Sequence, residues 1–228
     1  MCFSPEASFA LGGALFPVGG YCVRAACLKD RRFLPLAVVP VLLGLQQVSE
    51  GFVWRALDAG DPGRARAAGL GFLFFALAVW PFWFALVAAL GETRPTRRRW
   101  LAVLAVLTSG WFWLLFYPLL ADPGRVTPSI HHHSIRYDYA LPVDQYVPRT
   151  VVRVAYLLSI VVPLVFGPRL LGYVPGLLLA AGAGATAAVF EYAFASVWCF
   201  YAAVVGLGLG YIFYTLPSRP ATPVPTFG

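Results

Sequence analysis

The chain has 228 residues, of which 60% are hydrophobic and 12% are charged, and its formal net charge is +7. A soluble domain has about 45–50% apolar and about 25% charged residues, so this composition excludes an ordinary soluble protein. The apolar residues form blocks long enough to cross a bilayer, which takes about 20 residues in a helix. We therefore predict an all-α fold, a polytopic transmembrane helical bundle whose partner is the lipid bilayer.

The apolar blocks define the predicted helices in chain order. They lie at about 8–27, 33–55, 68–90, 100–120 and 151–167, and the stretch from 170 to 216 is long enough for two more. Gly182 with Gly184, or Glu191 with Tyr192, offers a turn within that last stretch. Seven helices are favoured and six are the alternative. They form one domain over 1–216, and the Pro-rich tail at 217–228 is predicted to be disordered.

The basic residues lie between the apolar blocks, which indicates charge that flanks a membrane and not a nucleic-acid surface. Ten Lys and Arg residues lie on one predicted side of the membrane and seven on the other. Because basic residues are retained on the cytoplasmic side, we expect the N-terminus outside and the C-terminus in the cytoplasm, in the inner (cell) membrane.

Pro81 lies within the third predicted helix, directly after Trp80. Proline removes one backbone donor from a helix and bends it. A kink at this position would open room for a cavity. The alternative is that the aromatic residues around Pro81 only pack together.

A polar patch lies near the outward end of the second predicted helix and consists of Gln46, Gln47, Ser49 and Glu50. An acidic group inside a bilayer costs about 2.5–3.5 kcal/mol, so we expect this patch to face the interior of the bundle. We interpret Glu50 as a catalytic base or ligand group. The alternative is a carboxylate at the interface, paired with Arg55.

Three further residues are candidates for lining the same site. Glu191 is the second acidic candidate, and its depth depends on where the last turn falls. Trp80 and Trp198 lie in the aromatic segments of the third and last helices, and we expect both to line the ligand.

The longest connection is the predicted outer loop at 121–149, in which Ile130 to Tyr139 alternates like an extended segment. There His131 and His133 would project to one face and could chelate one ion, although solvated histidines are the alternative. Cys2 and Glu6 precede the first helix on the same predicted side. Thiolate, imidazole and carboxylate together suit a transition metal such as zinc or copper, so these four residues are the predicted metal ligands.

Four segments of the chain resemble a family of uncharacterised bacterial multi-pass membrane proteins. They are the start Met1-Cys2-Phe3-Ser4, the Gln46-Gln47…Glu50-Gly51…Trp54 stretch, Trp80-Pro81…Trp83, and Ser196-Val197-Trp198-Cys199-Phe200. The resemblance implies that these segments form a common site, and it implies no activity.

Three functions are compatible with these residues. The first is a metal- or carboxylate-dependent membrane enzyme with an outward-facing site at Glu50. The second is a transporter or sensor in which Glu50 and Glu191 bind a cation or proton and the histidine loop gates the outer mouth. The third is an assembly subunit, in which polar groups hold helices together within a homo-oligomer or a larger membrane complex.

Overall fold

The computed structural model describes residues 4–167 and 174–217, and within them the chain forms seven helices and one β-hairpin. Six helices are long and apolar enough to cross a membrane, so the chain is a multi-pass membrane protein and the predicted all-α bundle is confirmed. These six are α1 (Pro5–Lys29), α2 (Arg31–Asp58), α3 (Pro62–Gly91), α4 (Pro95–Ala121), α5 (Arg149–Phe166) and α7 (Glu191–Thr215). The shorter helix α6 spans Val174–Val189. Strands β1 (Val126–His131) and β2 (Ser134–Tyr139) form the hairpin between α4 and α5.

The turn that separates α6 from α7 lies at Phe190, beside Glu191. Of the two turns that the sequence offered, the one at Glu191 with Tyr192 is therefore correct. Gly182 lies inside α6, where a Cβ atom would meet the aromatic ring of Tyr201 at Cζ, 3.0 Å away. This glycine lets α6 and α7 approach each other closely and does not break the helix. Except for Pro217, the predicted tail lies outside the described residues.

Local capping signals set the starts of several helices, which begin a few residues earlier than the apolar blocks. The side chain of Ser4 accepts a hydrogen bond from the backbone N–H of Ala7, and Pro5 follows at the first helical position. Asp61 accepts from the N–H of Arg64 in the same way, and Pro62 follows it. These polar caps supply partners for backbone donors that have none within the helix.

The two ends of the bundle differ in charge. We call the end that holds β1 and β2 the hairpin end and the other the basic end. At the basic end the ammonium group of Lys29 donates to the carbonyls of Phe213 and Tyr214, 3.0 and 2.9 Å away, which joins α1 to the last turn of α7. Among the described residues the basic end has eight Lys or Arg and two acidic residues, whereas the hairpin end has seven Lys or Arg and, besides the buried Glu50, seven acidic residues.

A wide turn interrupts α3 just before Pro81. Residues Phe74–Val79 form a π-helical segment, and a second one, Phe112–Phe116, lies beside it in α4. Proline cannot donate a hydrogen bond to the preceding turn, so the helix widens there and a backbone carbonyl becomes free for another partner. The hydroxyl of Tyr156 donates to one such carbonyl, that of Ala76. The helix is thus tied to α5 at its irregular point.

Helices α1 and α2 pack through glycines. A Cβ atom at Gly19 would lie 3.0 Å from the backbone nitrogen of Val41, and one at Gly12 would lie 3.1 Å from the carbonyl oxygen of Gly44. Backbone atoms cannot move aside as a flexible side chain can. This close approach holds the polar patch of α2 against its neighbours.

We expect Gly19→Ala to lower the free energy of unfolding by about 1–3 kcal/mol, because the added methyl group overpacks the contact with α2. Gly20 is the matched control, since nothing lies within 4 Å of a Cβ atom there. Gly20→Ala should change stability by no more than about 1 kcal/mol, the difference in helix propensity. Unfolding in detergent measures both variants, and equal effects would contradict close packing at Gly19.

Candidate functional site

The β-hairpin covers one end of the bundle, and three histidines form its tip. His131 pairs with Ser134, and His132 and His133 are the two turn residues, both in the left-handed region with φ of 45° and 58°. The chain therefore reverses within the segment that the sequence analysis expected to be continuously extended. That expectation was wrong because a two-residue turn lets the two halves pair as antiparallel strands.

The hairpin is anchored by side chains that point into the bundle. Val126 and Ile135 are completely buried. The ring of Tyr137 stacks on that of Phe72 in α3, with centroids 4.8 Å apart and planes 3° apart. Gly69 lets α3 approach the hairpin closely, because a Cβ atom there would lie only 3.1 Å from Pro128 Cγ in β1. The hairpin thus brings the hydroxyl of Tyr137 into the interior.

A set of buried polar side chains, which we call the polar core, lies where α2, α7 and β2 meet. Gln46 and Gln47 are 0% exposed and Glu50 is 1% exposed. Residues three and four apart share one face of a helix, so α2 presents all three side chains inward. Helix α7 adds Ser196 and Cys199 by the same spacing, and both are buried; Tyr137 completes the polar core.

Few direct contacts stabilise the polar core. The indole N–H of Trp80 donates to Gln46 Oε1 over 2.8 Å. The hydroxyl of Ser196 lies beside the Glu50 carboxylate, and the thiol of Cys199 lies beside the Gln46 amide. The polar face of α2 is therefore held by groups from α3 and α7, as expected for a patch that avoids lipid.

Five buried side-chain atoms at this site have no hydrogen-bond partner. They are Gln46 Nε2, both polar atoms of the Gln47 amide, Glu50 Oε1 and the hydroxyl of Tyr137. No Lys, Arg or His is buried among the described residues, so Glu50 has no basic partner in the interior. Burial without a partner is costly for each of these groups and most costly for a charged carboxylate. The arrangement suits a site that accepts a proton, a cation or a small polar ligand.

The phenol of Tyr137 is held in its protonated form. Burial raises its pKa well above the usual value, and the nearby Glu50 and Cys199 raise it further. A protonated phenol is a hydrogen-bond donor. Tyr137 therefore offers a donor to whatever occupies the site.

A cavity of about 600 Å³ extends from the hairpin end to the polar core. Its inner wall includes Tyr137 and Cys199 from the polar core, and Ala76 and Leu77 from the π-helical segment of α3. Pro81 was expected to open room for a cavity, and this segment lies just before it. We call this space the polar cavity.

Three ion pairs line the polar cavity. They join Arg149 to Asp144 at 2.5 Å, Arg136 to Asp138 at 2.8 Å, and Arg153 to Glu191 at 3.3 Å. The Arg149 guanidinium lowers the pKa of Asp144, which keeps that carboxylate charged. Three cations and three anions balance one another, so the cavity has charged walls without a net charge.

A second cavity of about 210 Å³, the apolar cavity, lies between the helices and is partly open beside Val174 and Leu178, which are 64% and 43% exposed. Aliphatic and aromatic residues of α2, α3, α5, α6 and α7 line it, among them Leu43, Trp80, Ile160, Leu179 and Ala202. Trp198 and Cys199 line both cavities. The polar cavity and the apolar cavity are therefore adjacent at these two residues.

The structure separates the residues that the sequence proposed for the ligand site. Gln46, Gln47, Glu50, Trp80 and Trp198 come together around the polar core and the two cavities. Two residues do not. The Ser49 hydroxyl donates to the carbonyl of Leu45 and faces α3 near Gly71, and Glu191 lies at the mouth of the polar cavity with its side chain 74% exposed.

Three of the four predicted metal ligands lie among the described residues, all at the hairpin end. The ring of His131 lies 4.5 Å from that of His132 and 5.1 Å from that of Tyr192, between ring centroids. Glu6 is exposed in the first turn of α1, and Cys2 lies outside the described residues. In the part of the chain that is described, no three His, Cys, Asp or Glu side chains are placed to hold one metal ion. Metal binding by His131, His133, Cys2 and Glu6 stays a prediction.

Tyr137, Ser196 and Cys199 were not among the predicted site residues. Ser196 and Cys199 lie in one of the segments that carried the family resemblance, and that was the available signal. Tyr137 had no such signal, because its contribution depends on how the hairpin docks against α3.

Fold and site together define the class: a multi-pass helical membrane protein with a buried polar core beside two cavities. The chain belongs to a family of unknown function, DUF6629, whose family model matches residues 1–223. The predicted membership of an uncharacterised family is thereby confirmed. No curated protein and no solved structure matches the chain significantly.

The Trp80–Gln46 hydrogen bond provides a test of the polar core. We expect Trp80→Phe to lower the free energy of unfolding by about 1–3 kcal/mol, because the Gln46 carbonyl loses its donor in a buried setting. Trp113→Phe is the control, since Trp113 is 65% exposed, and it should change stability by less than about 0.5 kcal/mol. Replacing Gln46 by Leu first should reduce the cost of Trp80→Phe, and an undiminished cost would argue against the hydrogen bond.

Proposed function

We propose that this protein is a membrane transporter or sensor in which Glu50 binds a proton or a small cation while a small solute occupies the neighbouring cavities. One observation carries the proposal: among the described residues Glu50 is buried with no basic residue to balance its charge, and its neighbour Tyr137 lines the polar cavity. The bilayer interior strongly disfavours an isolated carboxylate, and intramembrane acidic groups mark ion and proton pathways.

The positive charge at Glu50 comes from outside the chain. The three arginines near the site are paired with Asp138, Asp144 and Glu191 at the mouth of the polar cavity. The unpaired carbonyl of Gln47 adds a neutral oxygen ligand near the carboxylate. Carboxylate and carbonyl oxygens bind a small hard cation or hold a proton.

The cavities supply a route to the polar core. A solute that enters the polar cavity from the hairpin end reaches Tyr137 and Cys199, behind which Glu50 lies. Past Trp198 and Cys199 is the apolar cavity. A buried carboxylate next to the path of a solute suits coupled transport, since the coupling ion and the solute must influence the same barrier.

We expect the thermal stability of the protein to fall as pH rises in the absence of small cations, and Glu50→Gln to remove this dependence. Burial disfavours the charged carboxylate, so losing the proton costs more in the folded than in the unfolded state, and stability is lost on deprotonation. At high pH a small cation such as Na⁺ or K⁺ should restore the stability of the wild-type protein if it can replace the proton.

Glu6→Gln is the matched control for that measurement, because Glu6 is an exposed carboxylate at the same end of the bundle. This variant should keep the full pH dependence. A Glu50→Gln protein that keeps the wild-type dependence on pH and cations would refute the proposed role of Glu50.

A second candidate function is a carboxylate-dependent membrane enzyme. The observation in its favour is that Tyr137 and Cys199 line the polar cavity within electrostatic range of Glu50, so a donor, a thiol and a carboxylate share one wall. Such a set could position a substrate and move protons during a reaction. The fate of the bound solute separates the two functions. An enzyme converts it chemically, whereas a transporter releases it unchanged.

We also propose that the basic end faces the cytoplasm of the cell (inner) membrane, which places the N-terminus and the hairpin outside. The excess of Lys and Arg at that end supports this orientation.

Native cysteines report the orientation. Cys27 is exposed near the basic end of α1, whereas Cys2 precedes α1 at the other end. In a Cys2→Ser variant we expect Cys27 to resist a membrane-impermeant maleimide in intact cells and to react in inverted membrane vesicles. A Cys27→Ser variant should show the opposite pattern at Cys2. The reverse result in both variants would establish the opposite orientation.

A further inference from the structure

The apolar cavity is a large, partly open space between packed helices. Protein interiors pack as densely as organic crystals, and voids larger than a water molecule are few. An apolar cavity of about 150 Å³ stays dry and binds a molecule the size of benzene. At about 210 Å³, the apolar cavity has room for an aromatic ring or a short branched chain. Its apolar walls favour an apolar occupant.

The polar cavity has the opposite chemistry. Its ion pairs balance one another, so it offers both guanidinium donors and carboxylate acceptors to a solute without attracting one sign of charge. The protonated phenol of Tyr137, which lines the same cavity, adds a buried donor without a partner. A neutral or zwitterionic group fits such walls better than a net anion or cation.

The two cavities meet at Trp198 and Cys199. The Trp198 indole donates to the carbonyl of Leu179 over 3.2 Å and its ring stacks on Phe194, with centroids 5.6 Å apart. Leu179 lines the apolar cavity and Phe194 lines the polar cavity. A solute that occupied both spaces would have its polar and apolar parts joined beside Trp198 and Cys199.

We infer that the solute is a small amphiphile, with a zwitterionic or neutral head in the polar cavity and a ring-sized apolar end in the apolar cavity. This inference deepens the proposed function and rests on it for the role of the solute. It names the chemical class that the two linings select together: the head is held by paired charges and hydrogen bonds, and the apolar end is held by the hydrophobic effect.

Tryptophan fluorescence tests the inference directly, because Trp80 and Trp198 both line the apolar cavity. The probe is 4-bromophenylalanine, which combines a zwitterionic head with a ring whose bromine quenches nearby indoles. A Trp100→Phe/Trp113→Phe background removes two tryptophans that are 71% and 65% exposed. In lipid nanodiscs we expect saturable quenching that phenylalanine reverses and that serine, which lacks the ring, does not.

Filling the apolar cavity should abolish this binding. Ala202→Leu adds three carbons to a residue of the cavity lining and should weaken the probe at least tenfold, and Ala202→Val should weaken it less. The matched control is Ala181→Leu, which adds the same atoms at an exposed position of α6 and should leave binding unchanged. Thermal unfolding of each variant verifies that it is folded before binding is compared.

Three results would overturn the inference. They are the absence of saturable quenching in the folded protein, equal quenching in Ala202→Leu, and equal competition by serine and phenylalanine. A fourth concerns the bilayer itself. If nanodisc lipids with brominated acyl chains quench these tryptophans and Ala202→Leu reduces that quenching, a lipid chain fills the apolar cavity and the solute does not.

The proposed function and this inference fail separately. Binding of 4-bromophenylalanine requires no ion gradient. If the probe binds as expected but Glu50→Gln keeps the wild-type pH dependence of stability, only the proposed role of Glu50 is refuted. If the pH dependence of stability is lost in Glu50→Gln as expected but the protein shows no preference for a ring-bearing probe, only the inference of an amphiphilic solute is refuted.

Discussion

A carboxylate buried among apolar helices without a basic partner is the constraint on which this structure depends. Glu50 and the two glutamines beside it would be intolerable on a lipid-facing surface, so α2 must turn this face inward. The glycine contacts that bring α1 close to α2, and the indole of Trp80 that donates to Gln46, fix α2 in that orientation. The interior then contains unpaired polar atoms, and these give the site its capacity to bind.

Irregular backbone lines the polar cavity that adjoins the polar core. The π-helical segment before Pro81 widens α3 at Ala76 and Leu77, and the hydroxyl of Tyr156 satisfies the freed carbonyl of Ala76. Non-helical backbone within a membrane protein is tolerated where protein or a cavity surrounds it. The hairpin completes the enclosure from one end, so access to the polar core depends on the hairpin and on Trp198. The proposed function and the proposed amphiphilic solute therefore both depend on how the hairpin and Trp198 move.

The hairpin also separates the roles of residues that looked equivalent in the sequence. Its tip places His131 and His132 against Tyr192, outside the polar core, while Tyr137 in its second strand enters the interior. The ion pairs beside it keep charged side chains at the mouth of the polar cavity. The acidic residues of this end therefore differ in kind: Glu191 is balanced by Arg153 and exposed, and Glu50 is unbalanced and buried.

The sequence by itself determined the helical membrane fold, because blocks of apolar residues of bilayer length have few other solutions in lipid. It also determined that Glu50, Gln46 and Gln47 lie inside, because their spacing places them on one helical face and lipid excludes that face. Only the tertiary structure decided that Tyr137, Ser196 and Cys199 join them, that His133 is a turn residue, and that Ser49 faces α3. Contacts between distant segments depend on how helices rotate and how a hairpin docks, and local spacing along the chain does not encode either.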